Sequence, residues 1–342
     1  MKKVLYPVFT MLLASALVAG CGSTTGSSSS SHGTSNASGS SGSGSSTSQV
    51  MIAGSASQGG ANYLIMSGWA QLMKKYTGYQ IRNESTGGPA SNMQLMNTGK
   101  MSFGVISGVV GKEGYDGSGW SQGKKLDNVE ALFGTNASYL DAIALQKSGI
   151  KSYDDLNGKK VSVGPAGGTS YVVAMKLFEV LGIHPKIVEL GMNASVDALK
   201  NGQIDAMVVG GAFPRPAYVQ LEATDPTTHL ELTPAELQKA VSAFPAFQIG
   251  VIPKGTYKYL THDEKTIEDQ YFYAVSSNVP ENVAYQVTKA TLDHLQEFQQ
   301  VHKSLKSLTL QQMVQVPIPL APGAAKAFQE AGIQIPSAAQ PK

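Results

Sequence analysis

Residues 50–76 read VMIAGSASQGGANYLIMSGWAQLMKKY, a short apolar strand pattern joined to a helical pattern by a turn of Gly and Ser. The alternation continues with strand patterns at 79–84 and 102–106 and a helical pattern at 90–98. Strands separated by helices are typical of βαβ units and a mostly parallel sheet. We therefore predict an α/β fold for the first part of the chain.

A second alternating set begins at residue 160. It has strand patterns at 160–163, 187–190 and 204–209 and helical patterns at 169–181 and 195–201. The apolar run 129–146 predicts a long strand that passes from one domain to the other. A return crossing is expected at 247–253 or at 271–276, and two crossings make a hinge. The C-terminal helical patterns at 280–300 and 321–331 are expected to pack back on the first domain.

The N-terminus has the pattern of a bacterial export signal. Lys2 and Lys3 precede an apolar run that ends in Val18-Ala19-Gly20-Cys21, which resembles a lipobox whose cysteine is diacylated. We predict a signal peptide at 1–20, then a lipidated Cys21 and a disordered Ser/Gly tether at 21–48, with His32 part of that tether. An uncleaved anchor helix and a plain signal peptide with an incidental cysteine are the alternatives.

Composition and missing motifs exclude several functions. The chain of 342 residues has 26 Lys+Arg against 24 Asp+Glu, and this near-neutral balance argues against nucleic-acid binding. A single cysteine excludes a disulfide scaffold and a Cys-based zinc cluster. HExxH, GxSxG and P-loop motifs do not occur, and the six histidines are far apart in sequence and expected at the surface. We therefore predict no catalytic residue, metal or cofactor.

Three strand-to-helix junctions are rich in Gly and hydroxyl groups. They are residues 54–60 (GSASQGG), 85–92 (STGGPASN) and 164–170 (GPAGGTS). Helix N-termini carry unpaired N–H groups and a partial positive charge, so they bind anions without arginine. Each junction alone could be an ordinary cap or turn. Two junctions from one domain and one from the other favour a shared cleft.

These segments resemble the TAXI family of TRAP-transporter solute receptors. The resemblance rests on residues 52–63, 86–92 (TGGPASN) and 99–105 (GKMSFGV). It continues through 161–182 and 198–206, GGAFP at 210–214, and VPIPLAPGA at 316–324. Pro89 and Ala90, Ser102 and Ala321 depart from residues common in the family, and the first two touch the expected site.

The resemblance implies a two-lobe clamshell of the type II periplasmic binding proteins, joined by hinge strands. We expect lobe I at 49–140 with 250–342 and lobe II at 141–249. The implied ligand is a small organic anion, such as glutamate or 2-oxoglutarate, delivered to the membrane permease subunits of a TRAP transporter. We expect a monomer held at the membrane through Cys21.

The expected ligand-binding residues supply hydroxyls, amides, backbone N–H groups and two aromatic walls. They are Ser57, Tyr63, Thr86, Gly88, Asn92, Gly168, Thr169, Ser170, Phe213 and Arg215. Arg215 has two placements open to it, either exposed at the surface or reaching the cleft as a carboxylate clamp.

Two other functions remain possible from the sequence. The receptor could serve a sensor kinase or an ABC-type importer, which a neighbouring gene for a TRAP permease would separate. A lipid-anchored hydrolase is the remaining alternative, and no nucleophile and base with suitable spacing support it.

Overall fold

The computed structural model describes residues 50–244 and 247–342. The predicted signal peptide, Cys21 and the predicted Ser/Gly tether lie outside the described residues. Among the described residues, no helix is both long enough and apolar enough to cross a membrane.

The first half of the fold follows the predicted alternation. Its elements are β1 (Met51–Gly54), α1 (Ala61–Thr77), β2 (Ile81–Glu84), α2 (Pro89–Asn97), β3 (Phe103–Ser107) and α3 (Gly108–Asp116). The three strands pair in parallel in the order β2-β1-β3. Trp69 on α1 is fully buried between Phe103 and Tyr273, which fixes the helix against the sheet.

The second half repeats the pattern after the long strand β4 (Val129–Leu145). It contains β5 (Lys160–Ser162), α4 (Thr169–Leu181), β6 (Lys186–Val188), α5 (Met192–Lys200), β7 (Ala206–Gly211) and α6 (Pro216–Thr224). Here β7, β5 and β6 are parallel neighbours.

The return to the first half runs through β8 (Thr227–Leu230), α7 (Pro234–Ala243), β9 (Gln248–Ile252) and β10 (Glu264–Ser276). The chain ends in α8 (Glu281–Asp293), α9 (Leu295–Val301), α10 (Leu310–Met313) and α11 (Pro322–Glu330). Helices α8 and α9 pack on α1, as expected, and α11 packs on α8.

Two long antiparallel strands join the halves into one mixed sheet, in the order β2-β1-β3-β10-β4-β7-β5-β6. Strand β4 pairs with β10 up to Tyr139 and with β7 from Tyr139 onward. Strand β10 pairs with β9 up to Glu268 and with β4 from there on. The fold is therefore an α/β clamshell of two lobes joined by hinge strands, with β10 as the return crossing. The lobe boundaries at 140/141 and 249/250 stay predictions.

Candidate functional site

A small cavity lies where the Gly-rich junctions of the two lobes meet. The centre of a water molecule can occupy about 60 Å³ of it. One water needs about 10–15 Å³ by this measure. The cavity in this closed arrangement therefore has room for a small solute and not for a peptide.

Both lobes and the hinge contribute to the wall. The first lobe supplies Ser57, Gly60, Ala61, Asn62, Gly87 and Gly88. The second supplies Gly168, Thr169, Ser170, Leu190, Met192 and Gly211. Arg215, at the start of α6, and Tyr271, on the hinge strand β10, also border the cavity.

Three helices begin at the cavity with uncapped N-termini. The N-cap residues of α1, α4 and α5 are Gly60, Gly168 and Gly191, and none of the three helices has a side-chain cap. In the described part of the chain, the first three N–H groups of each helix bond to no acceptor. These groups and the helix dipoles give the cavity a positive potential from two sides. By contrast, Thr233 closes the N-terminus of α7, away from the cavity, with a capping box.

Helix α2 has a different partner. Its N–H groups at Ala90 and Ser91 donate to the Gly167 carbonyl of the opposite lobe at 2.9 and 3.4 Å. In the other direction, Ala217 N donates to the Gly59 carbonyl at 3.2 Å. The α2 junction therefore holds the lobes together, although the sequence pattern predicted that its N–H groups would be free for an anion.

Glycine is required at the point where the lobes touch. A Cβ on Gly88 would lie 3.1 Å from the Gly168 Cα, and Gly88 also has a φ of +107°, which disfavours other residues. A Cβ on Gly168 would lie 2.9 Å from the Gly87 carbonyl oxygen. The glycines therefore allow the two backbones to approach closely.

Arg215 is fully buried, so its alternative placement at the surface is wrong. Its Nη1 donates to Asp141 Oδ2 at 2.8 Å, and its Nη2 donates to the carbonyls of Tyr139 and Gly211 at 2.6 and 3.1 Å. Burial alone would lower the pKa of Arg215, but Tyr257 and Asp141 hold it above its ordinary value. The guanidinium is thus charged and already paired.

Two buried donors at the cavity wall have no partner. Arg215 Nε and Thr169 Oγ1 make no hydrogen bond within the described residues. A buried polar group without a partner costs free energy, about 1–3 kcal/mol each. Both atoms are therefore unsatisfied donors in residues that border the cavity.

Behind Arg215 lies a chain of buried ionisable groups. His229 Nδ1 is 3.2 Å from Asp141 Oδ1, and its Nε2 is 2.9 Å from Glu222 Oε1. Burial opposes the charge on His229, but Asp141 and then Glu222 and Glu264 raise its pKa to about 12. The expectation that His229 lies at the surface is wrong, because these carboxylates stabilise it as a buried cation.

The charges of this network balance when Glu264 is neutral. Two cations, Arg215 and His229, face the carboxylates of Asp141 and Glu222, whose pKa values are lowered despite burial. Burial and then Asp141 raise the pKa of Glu264 to about 8. Asp141, His229 and Glu264 each offer an atom that could hold a cation. Because the Arg215 guanidinium already pairs with Asp141, these residues form a series of ion pairs instead.

Six of the ten predicted site residues border the cavity. They are Ser57, Gly88, Gly168, Thr169, Ser170 and Arg215. Their contacts with a ligand stay a prediction.

The other four predicted residues do not border it. Thr86 accepts a hydrogen bond from Gly88 N and shapes the turn, while Asn92 donates from Nδ2 to the carbonyls of Gly54, Ser55 and Val105. The Tyr63 carbonyl accepts from Asn83, and Phe213 packs on Tyr139 at 4.7 Å between ring centroids.

Among the residues that border the cavity, the α5 junction, Asn62 and Tyr271 were not predicted. Leu190 and Met192 flank the N-cap of α5, where the turn contains a single Gly and no Ser or Thr next to it. Tyr271 reaches the cavity from β10, and only the sheet order brings that strand to the site. Gly191 followed by Met192 and Asn193 was the available signal for the junction.

The NMT1-like family matches residues 52–332 of this chain, which is most of its length. The chain belongs to this family. Among solved structures, the periplasmic binding protein BugD is 14% identical, with a TM-score of 0.50, 84% of this chain covered and 98% of that one. This likeness shows the fold of the periplasmic binding proteins.

Two further similar structures have known ligands. An ancestral arginine-binding protein bound to arginine is 14% identical, with a TM-score of 0.48, 75% of this chain covered and 97% of that one. The alkanesulfonate-binding protein SsuA from Xanthomonas axonopodis pv. citri, bound to MOPS, is 13% identical, with a TM-score of 0.45 and coverage of 82% and 90%.

Proposed function

We propose that this NMT1-like protein is an extracytoplasmic solute receptor that captures a small organic anion, a carboxylate or an amino acid, by closing its two lobes. The observation that carries the proposal is the convergence of three uncapped helix N-termini, from both lobes, on one cavity. Such termini attract anions through their N–H groups and dipoles. The free donors on Arg215 and Thr169 point to the same class of ligand.

Closure supplies the signal that a receptor needs. Part of the contact between lobes is between backbones, through Gly167 and Gly59, and the residues that follow these two glycines, Gly168 and Gly60, border the cavity. A solute that bonds to both lobes shifts the equilibrium toward the closed form by its differential affinity for that form. A membrane partner that recognises only the closed form would then receive only loaded receptors.

We further propose that the partner is the permease of a TRAP-type transporter and that the protein is a TAXI receptor anchored through a lipid on Cys21. The support is the order of the motifs at 52–63, 86–92 and 99–105 and the lipobox pattern. Reconstituted uptake separates this from an ABC-type importer. Transport driven by an ion gradient without ATP agrees with the proposal, and a requirement for ATP contradicts it.

A thermal-shift screen of carboxylates and amino acids on the purified protein tests the receptor function. A ligand at 100 times its Kd stabilises the folded state by about 2.7 kcal/mol. For a protein of this size, we expect a rise in Tm of about 4 °C. If no organic anion raises the Tm at millimolar concentration, the proposed function is wrong.

A further inference from the structure

The cavity wall is rich in hydrogen-bond donors. Helices α1, α4 and α5 present unbonded N–H groups, and Arg215 Nε and Thr169 Oγ1 are buried donors without a partner. The donors come from opposite sides of a narrow space, so a group bound there must accept several hydrogen bonds at once. A carboxylate has about four acceptor positions and fits this requirement.

Several backbone acceptors at or beside this wall already have donors. The carbonyl of Pro165 accepts from Gly168 N, that of Gly167 accepts from Ala90 N, and that of Gly210 accepts from Ser170 Oγ. The Gly211 carbonyl accepts from Arg215 Nη2. These four carbonyls are thus used within the protein, and acceptors that remain at the wall, such as the Gly87 carbonyl and the Ser57 hydroxyl, carry no charge.

The charged side chains at the cavity wall also favour a carboxylate. Among the described residues that border the cavity, Arg215 is the one with a charged side chain, and no Asp or Glu is present. Asp141, the carboxylate that pairs with Arg215, is fully buried, also bonds to His229 and does not border the cavity. An ammonium group would meet helix N-termini and a guanidinium, with no anion to pair with.

We propose, resting on the receptor function above, that the solute is a carboxylate without an α-ammonium group: a 2-oxo, 2-hydroxy or unsubstituted acid rather than an amino acid. The carboxylate accepts from the helix N-termini and from Arg215 Nε. A keto or hydroxyl oxygen beside it accepts from Thr169 Oγ1. An amino group in that position brings a buried charge without a partner.

Calorimetry with pairs of equal carbon skeleton tests the inference. The probes are 2-oxoglutarate against L-glutamate, oxaloacetate against L-aspartate, and pyruvate against L-alanine. For the skeleton that binds, we expect the oxo acid to have a Kd at least about 100-fold lower, equal to about 2.7 kcal/mol. An amino acid that binds as tightly as its oxo partner overturns the inference and leaves the receptor function standing. If no organic anion binds, the proposed receptor function itself is wrong.

A variant adds an independent measurement. Asn62 is buried at the cavity wall, and Asn62→Asp places a carboxylate there without changing the shape of the side chain. We expect the ratio of the two Kd values to move at least about tenfold toward the amino acid. Thr169→Val is the matched change of the same shape, and it should weaken the oxo acid while leaving the amino acid disfavoured. An unchanged ratio in a folded Asn62→Asp protein contradicts the inference.

Discussion

Replacing Gly168 by Ala should weaken solute binding because it opposes lobe closure. Gly168 has φ −80° and ψ 152°, a conformation that any residue adopts, so the backbone itself is not strained by the change. The new Cβ would lie 2.9 Å from the Gly87 oxygen across the cleft and 3.1 Å from the Pro165 oxygen within its own loop. The first contact exists only while the lobes are closed.

The size of the effect follows from that overlap. Ordinary contacts of a Cβ begin at 3.4 Å, so the lobes must separate by 3.4 − 2.9 = 0.5 Å. Overpacking of this kind costs about 1–3 kcal/mol. Because 1.4 kcal/mol corresponds to a factor of ten, we expect Kd to rise by about 5- to 150-fold. The Tm of the ligand-free protein should change little, since the open form avoids the contact with Gly87.

The matched control is Gly60→Ala. Gly60 is also an N-cap, with φ −87° and ψ 154°, and its Cβ would meet only Ser57 O of its own lobe, at 3.3 Å. Both variants carry the same loss of cap preference on changing Gly to Ala. Calorimetry should therefore give a larger rise in Kd for Gly168→Ala. Equal effects in the two variants, or a lowered Tm without a change in Kd, would refute the closure argument.

Three further predictions concern the buried network and the anchor. Asp141→Asn leaves the Arg215 charge without its 2.8 Å partner, and urea unfolding should show a loss of about 3–5 kcal/mol. Asp225→Asn, in a surface pair with Lys200, serves as its control and should lower the free energy of unfolding much less. The pKa of Glu264 is raised from 4.5 to about 8, so the folded state keeps a proton that the unfolded chain loses, and stability falls as pH rises between these values. Between pH 5 and 7.5, the free energy of unfolding should fall less for Glu264→Gln than for the unchanged protein. Equal slopes in the two proteins would contradict this prediction. Cys21→Ala should release the protein from the membrane fraction, and continued retention would exclude lipid anchoring.

Local patterns predicted the strands and helices well because each depends on residues close in sequence. Helix α4 begins and ends at the predicted residues, 169 and 181, and β4 matches the predicted crossing within one residue. Burial sets the apolar pattern of these elements, and that pattern is visible without knowing the partner. The return crossing was left between two candidates because both runs are short and apolar.

The candidate site was harder to predict because its key contacts are distant in sequence. Arg215 is buried in contact with Asp141, which lies 74 residues earlier in the chain. His229 contacts the same carboxylate, 88 residues away in sequence. Asn92 was chosen for its amide beside a Gly-rich turn, yet that amide bonds to three carbonyls of the sheet. A polar residue near a turn can serve the ligand or the scaffold, and only the tertiary partners distinguish the two.

Arg215 connects the cavity to β4, one of the two strands that join the lobes. Its Nη2 donates to the carbonyl of Tyr139, the residue at which β4 changes its partner strand, and its Nε lies beside Gly211 at the cavity wall. An anion that accepts from Nε is therefore one hydrogen-bonded residue away from the hinge. Because Asp141 already neutralises the guanidinium, the anion gains a directed hydrogen bond rather than a full ion pair. For the proposed receptor function, such a bond favours release of the solute, because water can replace a single hydrogen bond more readily than a full ion pair.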